Sequence, residues 1–153
     1  MVADRLPEKI RGKFLAERPI EIRPVNPINP FEPEKRPPVQ QLWFRAAGKL
    51  PDDFTIHQAV LAYASDFAFV GTSMLPHGLS FMQRNVQVAS LDHALWFHRR
   101  FRADEWLLYN MESPSASNAR GFNRGSIYTR DGVLVASVAQ EGLIRIRPLD
   151  EMA

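Results

Sequence analysis

From Ser90 to Arg147, about two-fifths of the chain, aromatic and β-branched residues run in short blocks broken by turn signals. Such residues at a period of two suit a pleated, half-buried sheet and do not sustain a helix. The blocks predict strands at Val86–His98, Trp106–Ser113, Phe122–Thr129 and Val133–Arg147. Asp131-Gly132 marks a tight hairpin between the last two, because glycine accepts φ > 0 without steric cost. Upstream, Gln41–Ala46 predicts one more short strand.

Only one segment carries a helical period. Pro51-Asp52-Asp53 offers a start, since an Asp side chain accepts from first-turn amides. Ile56, Val60, Tyr63 and Phe67 then fall at i, i+4, i+7 and i+11, one apolar stripe, with Gly71 as a stop beyond it. One strand, one helix and four strands form an α+β domain most simply as a sheet curled around the helix. Alone, that arrangement leaves an edge strand and much of one face uncovered, which a second copy would cure.

Residues 1–38 hold eight of the twelve prolines and read as an extended arm or linker, so the expected division is an arm at 1–38 and a domain at 39–149. A hydrophobic share of 45% is that of a globular chain. The net charge of +2 gives no argument for nucleic acid. No membrane span or signal peptide is expected. Without cysteine there is no disulfide, thiol nucleophile or thiolate metal site. A reducing compartment is compatible, and the expected location is cytoplasmic. His57, His77, His93 and His98 are not spaced as metal ligands. Arg99, Arg100 and Arg102 suit either phosphate recognition or a solvated turn facing Asp104 and Glu105, the second ranking slightly ahead.

Three polar residues stand against their local pattern. Asp66 lies near the expected helix C-terminus between Phe67 and Phe69, where the macrodipole and low polarity favour a protonated carboxyl. A solvated or loop-capping acid explains it as well, and ranks first on pattern alone. On the last strand Leu134, Ala136, Val138, Gln140, Gly142, Ile144 and Ile146 share the core face, so Gln140 is a carboxamide among apolar residues. A structural hydrogen bond and a role in holding water or ligand are evenly balanced there. Ser90 shares a face with Val86, Val88, Ala94 and Trp96, which predicts burial, and also with Asp92, which leaves the face open. Taken alone it is an ordinary strand serine.

The segments LDHALWFHR, EWLLY, ESPSASNARG and YTRDGVLVASVAQEG resemble the C-terminal half of the TesB-like (type II) acyl-CoA thioesterases. DDFTIHQAVLAYASD continues the likeness, and PIEIRP at 19–24 does so less distinctively. The resemblance implies a hot-dog fold, one half of a double hot-dog, and hydrolysis of fatty acyl-CoA. It also implies that an Asp in the YASD segment, a hydroxyl before the DH pair and a Gln in the QEG segment jointly activate water. These positions are Asp66, Ser90 and Gln140 here. Familiar members carry Thr where this chain has Ser90, which keeps the hydroxyl and loses the methyl that restricts its rotamer. No metal or redox cofactor is implied. The expected partner is a second copy or an N-terminal hot-dog half. A hydratase on this fold would need a His soon after the helical Asp, and Phe67-Ala68-Phe69-Val70-Gly71 stands there instead. A non-catalytic acyl-CoA-binding or dimerisation half is the other alternative.

Overall fold

The computed structural model describes residues 18–148. In chain order the elements are β1 (Ile20–Pro24), β2 (Val39–Ala46), α1 (Phe54–Ser65), α2 (Phe69–Met74), a 3-10 turn (Leu75–His77), β3 (Val86–Ser90), β4 (Ala94–Phe97), β5 (Leu107–Ser117), β6 (Arg120–Thr129) and β7 (Leu134–Ile146). The strands make one antiparallel sheet in the order β1-β2-β5-β6-β7-β3, with β4 continuing β3 along the same edge of β7.

The sheet starts earlier than the expected boundary at 38/39. Ile20–Pro24 pairs in register with Leu42–Ala46, and Ile20 is buried in the core. Prolines at 19 and 24 confine this strand to the edge, where a missing amide donor leaves no gap in a central ladder. Residues 1–17 of the expected arm lie outside the described residues.

The single strand expected at Val86–His98 is two. Leu91–His93 leaves the ladder because the Asp92 carboxylate takes the Glu141 amide at 2.9 Å, while Leu91 N–H still reaches the Glu141 carbonyl. The β5–β6 hairpin closes through Asn118-Ala119, both at positive φ, a turn that fits the sheet twist. Ser113-Pro114 forms a bulge opposite Asn123, since Glu112 pairs with Arg124 and Ser115 with Phe122. Asp131-Gly132 makes the β6–β7 turn, Gly132 at φ +82. On β7 the inward positions are those expected from Ala136 to Gly142, and Val135 is buried beside them at a shift of register.

Helix α1 starts where expected: Asp53 accepts from Thr55 N–H at 2.9 Å. It buries a different stripe, however. His57, Leu61, Ala64 and Ser65 face the sheet, whereas Tyr63 is 58% exposed and Ile56 36%. The helix is apolar around most of its circumference, so period alone does not choose a face. Ala64 on the inner side lets the backbone approach the sheet. The helix also stops earlier than expected, at Asp66, and Ala68 takes the left-handed conformation at φ +63. Gly71 lies inside α2, beside the Phe81 ring. Gln40 Nε2 donates to the Ala68 carbonyl at 2.7 Å, which holds the left-handed junction.

Helix α2 lies directly on β6 and β7. A Cβ on Gly121 would sit 2.1 Å from Ser73 Oγ, and one on Gly142 would sit 2.8 Å from Val70 Cγ1. Phe69 packs on Tyr109, and Tyr109 on Phe44, at ring separations of 5.6 and 6.3 Å. Each such buried ring adds about 1.5–3 kcal/mol of hydrophobic stabilisation. By length and composition Phe54–His77 would also suit a membrane, but half of its most apolar stretch is buried here, as in a core helix.

Candidate active site

The break between α1 and α2 sets Asp66 at the C-terminal end of the first helix, beside the end of β3 and the middle of β7. Gln140 Nε2 donates to Asp66 Oδ1 at 2.9 Å, and Ser90 Oγ donates to the same oxygen at 3.5 Å. The three residues singled out in the sequence therefore meet at one carboxylate oxygen. Asp66 Oδ2 has no donor among the described residues.

Their surroundings differ from expectation in two respects. Ser90 and Asp66 are exposed, so the burial predicted for Ser90 is absent from the single chain, while Asp66 is the solvated acid that pattern ranked first rather than one in an apolar enclosure. Phe69, expected beside the carboxylate, turns into the core instead. Only Gln140 is enclosed, and its Oε1 has no partner among the described residues.

Behind Asp66 lies a hydrogen-bonded chain that pattern reading did not supply. Ser65 hydroxyl donates to the Ala62 carbonyl at 2.8 Å, and His93 Nε2 lies 2.8 Å from the same Oγ. The hydroxyl proton being committed, His93 donates, which places a proton on Nε2. Tyr109 OH donates to the Ser65 carbonyl at 2.9 Å. Burial, and secondarily the nearby Asp66 charge, push the Tyr109 phenol well above its ordinary range, so it remains a donor. His93 is exposed rather than a core histidine. The available signal for Ser65 was its place one residue before Asp66. The face error on α1 hid it.

The arginines of the cluster have partners within the chain. Arg102 bridges Asp104 and Asp52 and donates to the Leu50 carbonyl, while Arg100 lies 4.7 Å over the Phe54 ring and Arg99 bonds the Leu134 carbonyl. Gly125 makes room for the Tyr109 ring, and Gly121 for Ser73, so both are occupied from within the fold. None of the tryptophans belongs to the buried core. Trp106 carries the Arg23 and Arg45 guanidinium groups over its ring, and Trp96 is exposed. An apolar cavity of about 660 Å³ opens between β1–β2 and the outer end of α1, lined by Ile20, Ile22, Leu42, Tyr63, Phe67 and Ala68 among others. Its wall at Phe67 and Ala68 directly follows Asp66 in the chain.

The sequence model of the family described as Acyl-CoA thioesterase matches residues 9–143. The chain belongs to the acyl-CoA thioesterase family. It is 45% identical over 144 residues to Acyl-CoA thioesterase 2 of Haemophilus influenzae, covering 94% of this chain and 50% of that protein. It is 46% identical over 146 residues to human Acyl-coenzyme A thioesterase 8, covering 94% of this chain and 45% of that protein. Among solved structures, the acyl-CoA thioesterase II TesB2 of Mycobacterium marinum superposes with a TM-score of 0.71 at 42% identity, covering 94% of this chain and 53% of that one. A hot-dog protein of unknown function from Alicyclobacillus acidocaldarius, 17% identical, superposes with a TM-score of 0.64 over 85% of this chain and 47% of that one. The fold is the hot-dog fold. This acyl-CoA thioesterase family member spans about half the length of the curated relatives it matches, as one half of a double hot-dog would.

Proposed function

We propose that the chain hydrolyses fatty acyl-CoA to a free fatty acid and CoA, using water activated at Asp66. One oxygen of that carboxylate is occupied by Gln140 and Ser90, which orient it; the other is free to take a proton. Water held there, with the Ser90 hydroxyl beside it, attacks the thioester carbonyl as its proton passes to Asp66. Collapse of the tetrahedral intermediate breaks the C–S bond, and Asp66 returns the proton to the departing thiolate. No covalent enzyme intermediate forms. The cavity beside Phe67 and Ala68 is of a size to take an acyl chain, since pockets of roughly 300–1,000 Å³ hold small ligands.

The convergence of Gln140 and Ser90 on a single Asp66 oxygen is the observation that carries this reading. Release of CoA thiol from a panel of acyl-CoAs tests it cleanly, because a chain without cysteine leaves a thiol reagent only the product to detect. Asp66→Asn should fold normally, and Gln140→Ala, a truncation in the interior, is read once circular dichroism shows it folded. Loss of a positioned general base should lower turnover by roughly 10²–10⁴-fold. Unchanged turnover in Asp66→Asn would refute the mechanism.

The exposure of Asp66 and Ser90 favours a second reading, in which this half binds acyl-CoA or pairs with another half without turning substrate over. Acyl-CoA binding by a folded wild-type chain that releases no thiol would select it.

A further inference from the structure

Asn123 on β6 and Gln140 on β7 are directly opposed across the antiparallel ladder. Residues so opposed share a face, with Cβ atoms about 4.5–5.5 Å apart. Both side chains are fully enclosed, Asn123 at 0% and Gln140 at 1% exposure. The Gln140 amide cannot be turned over: a carboxylate only accepts, so Nε2 must face Asp66 Oδ1. Its Oε1 is thereby directed elsewhere and has no partner among the described residues. Asn123 Oδ1 is also without a partner, its Nδ2 donating to the Gly121 carbonyl at 3.3 Å. Two enclosed acceptors thus stand on neighbouring residues with no donor among the described residues. On its other side Asn123 meets the Ser113-Pro114 bulge, an irregularity of the kind that re-aims a side chain.

We propose that Asn123 is a positioning residue for Gln140, through one internal water that donates to Gln140 Oε1 and Asn123 Oδ1. Water has the two donors these oxygens lack, and enclosed waters bridge such groups throughout protein interiors. Held at both ends of its carboxamide, Gln140 keeps Nε2 on Asp66. The catalytic consequence rests on the hydrolase reading; the coupling of the two carboxamides does not.

The test compares Asn123→Val with Asn123→Thr, variants near-isosteric with each other of which only the second carries an oxygen, its hydroxyl, that can accept from the water. In the wild-type chain, nuclear magnetic resonance should show cross-peaks from a long-lived water to the side-chain amide protons of Gln140 or Asn123. Asn123→Val should fold, lose that water, and lower kcat by about tenfold with KM little changed, as expected when an orienting group is misplaced rather than substrate binding lost. Asn123→Thr should recover most of kcat. Equal kcat in the two variants, or a folded Asn123→Val at wild-type kcat, overturns the positioning role. A wild-type chain without the long-lived water overturns the coupling whatever its activity. One that shows the water and hydrolyses nothing overturns the hydrolase reading and leaves the coupling in place.

Discussion

Asp66 acquires its geometry from two donors of unequal quality. The Gln140 contact at 2.9 Å is a normal charge-assisted bond, whereas Ser90 at 3.5 Å is at the limit of one. A serine hydroxyl turns freely about χ1, so the methyl of threonine should steady it. Ser90→Thr is therefore expected to keep or raise turnover of acyl-CoA, and Ser90→Ala to lower it by roughly 10-fold, below the general-base loss. A threonine variant as impaired as the alanine would remove Ser90 from the site. Tyr109 acts one step further back. Tyr109→Phe leaves the Ser65 carbonyl without its donor in the interior, which should destabilise the fold by about 1–3 kcal/mol in urea unfolding. Of the three polar residues only Gln140 stood clearly against its pattern; the family resemblance joined Asp66 and Ser90 to it. Ser65 and Tyr109 fitted their local patterns, and only packing brings them behind Asp66.

At the level of elements, the site depends on how closely the helical layer lies on β6 and β7. Gly121 and Gly142 set that distance, and a methyl at Gly121 would overlap Ser73 Oγ. Gly121→Ala should accordingly cost about 1–3 kcal/mol through overpacking, read as a lowered denaturation midpoint. The opposite sign is expected at the helix break. Ala68 holds φ +63, a conformation that costs an L-residue roughly 1–2 kcal/mol, so Ala68→Gly should raise stability or leave it level despite glycine's greater unfolded freedom. A clear loss of stability in that variant would mean the Ala68 methyl is needed for packing. The expected stop at Gly71 failed because glycine served contact with Phe81, not a left-handed turn, while the Gln40 bond made alanine tolerable at the real break.

Across the whole molecule, an ion pair far from the site ties the loop before α1 to the loop before β5. Asp104, 9% exposed at its side chain, accepts from Arg102 and from Leu50 N–H, and the Arg102 bond chiefly holds its carboxyl down at about 2. The folded chain then binds fewer protons there than the unfolded one, whose carboxyl titrates near about 3.9. This contribution to stability is complete above that value and is lost as pH falls through about 2. Urea unfolding between neutral pH and pH 2 should show the loss, and Asp104→Asn should flatten it. Exposed Leu91, Trp96 and Phe97 flank the β3–β4 edge, and Tyr63 stands on the outer face of α1. These surfaces, with an open Asp66, are what a second copy or an N-terminal hot-dog half would cover, and the expectation tested is the second copy. Light scattering should give twice the mass of one chain; a stable monomer with full turnover would refute that.

By itself the sequence determined the strands from β2 to β7, with β3 and β4 read as one, the start of the first helix and the β6–β7 hairpin. Each follows from side-chain period or from a turn or capping residue, which are local properties of the chain. Tertiary structure alone decided which face of α1 is buried, because Leu61 and Ala64 compete with Val60 and Tyr63 for the sheet on nearly equal local terms. It also decided that β3 and β4 separate at Asp92, whose carboxylate takes an amide from a strand 49 residues away. Asn123 meets Gln140 for the same reason: contact between them exists only once β6 and β7 are in register.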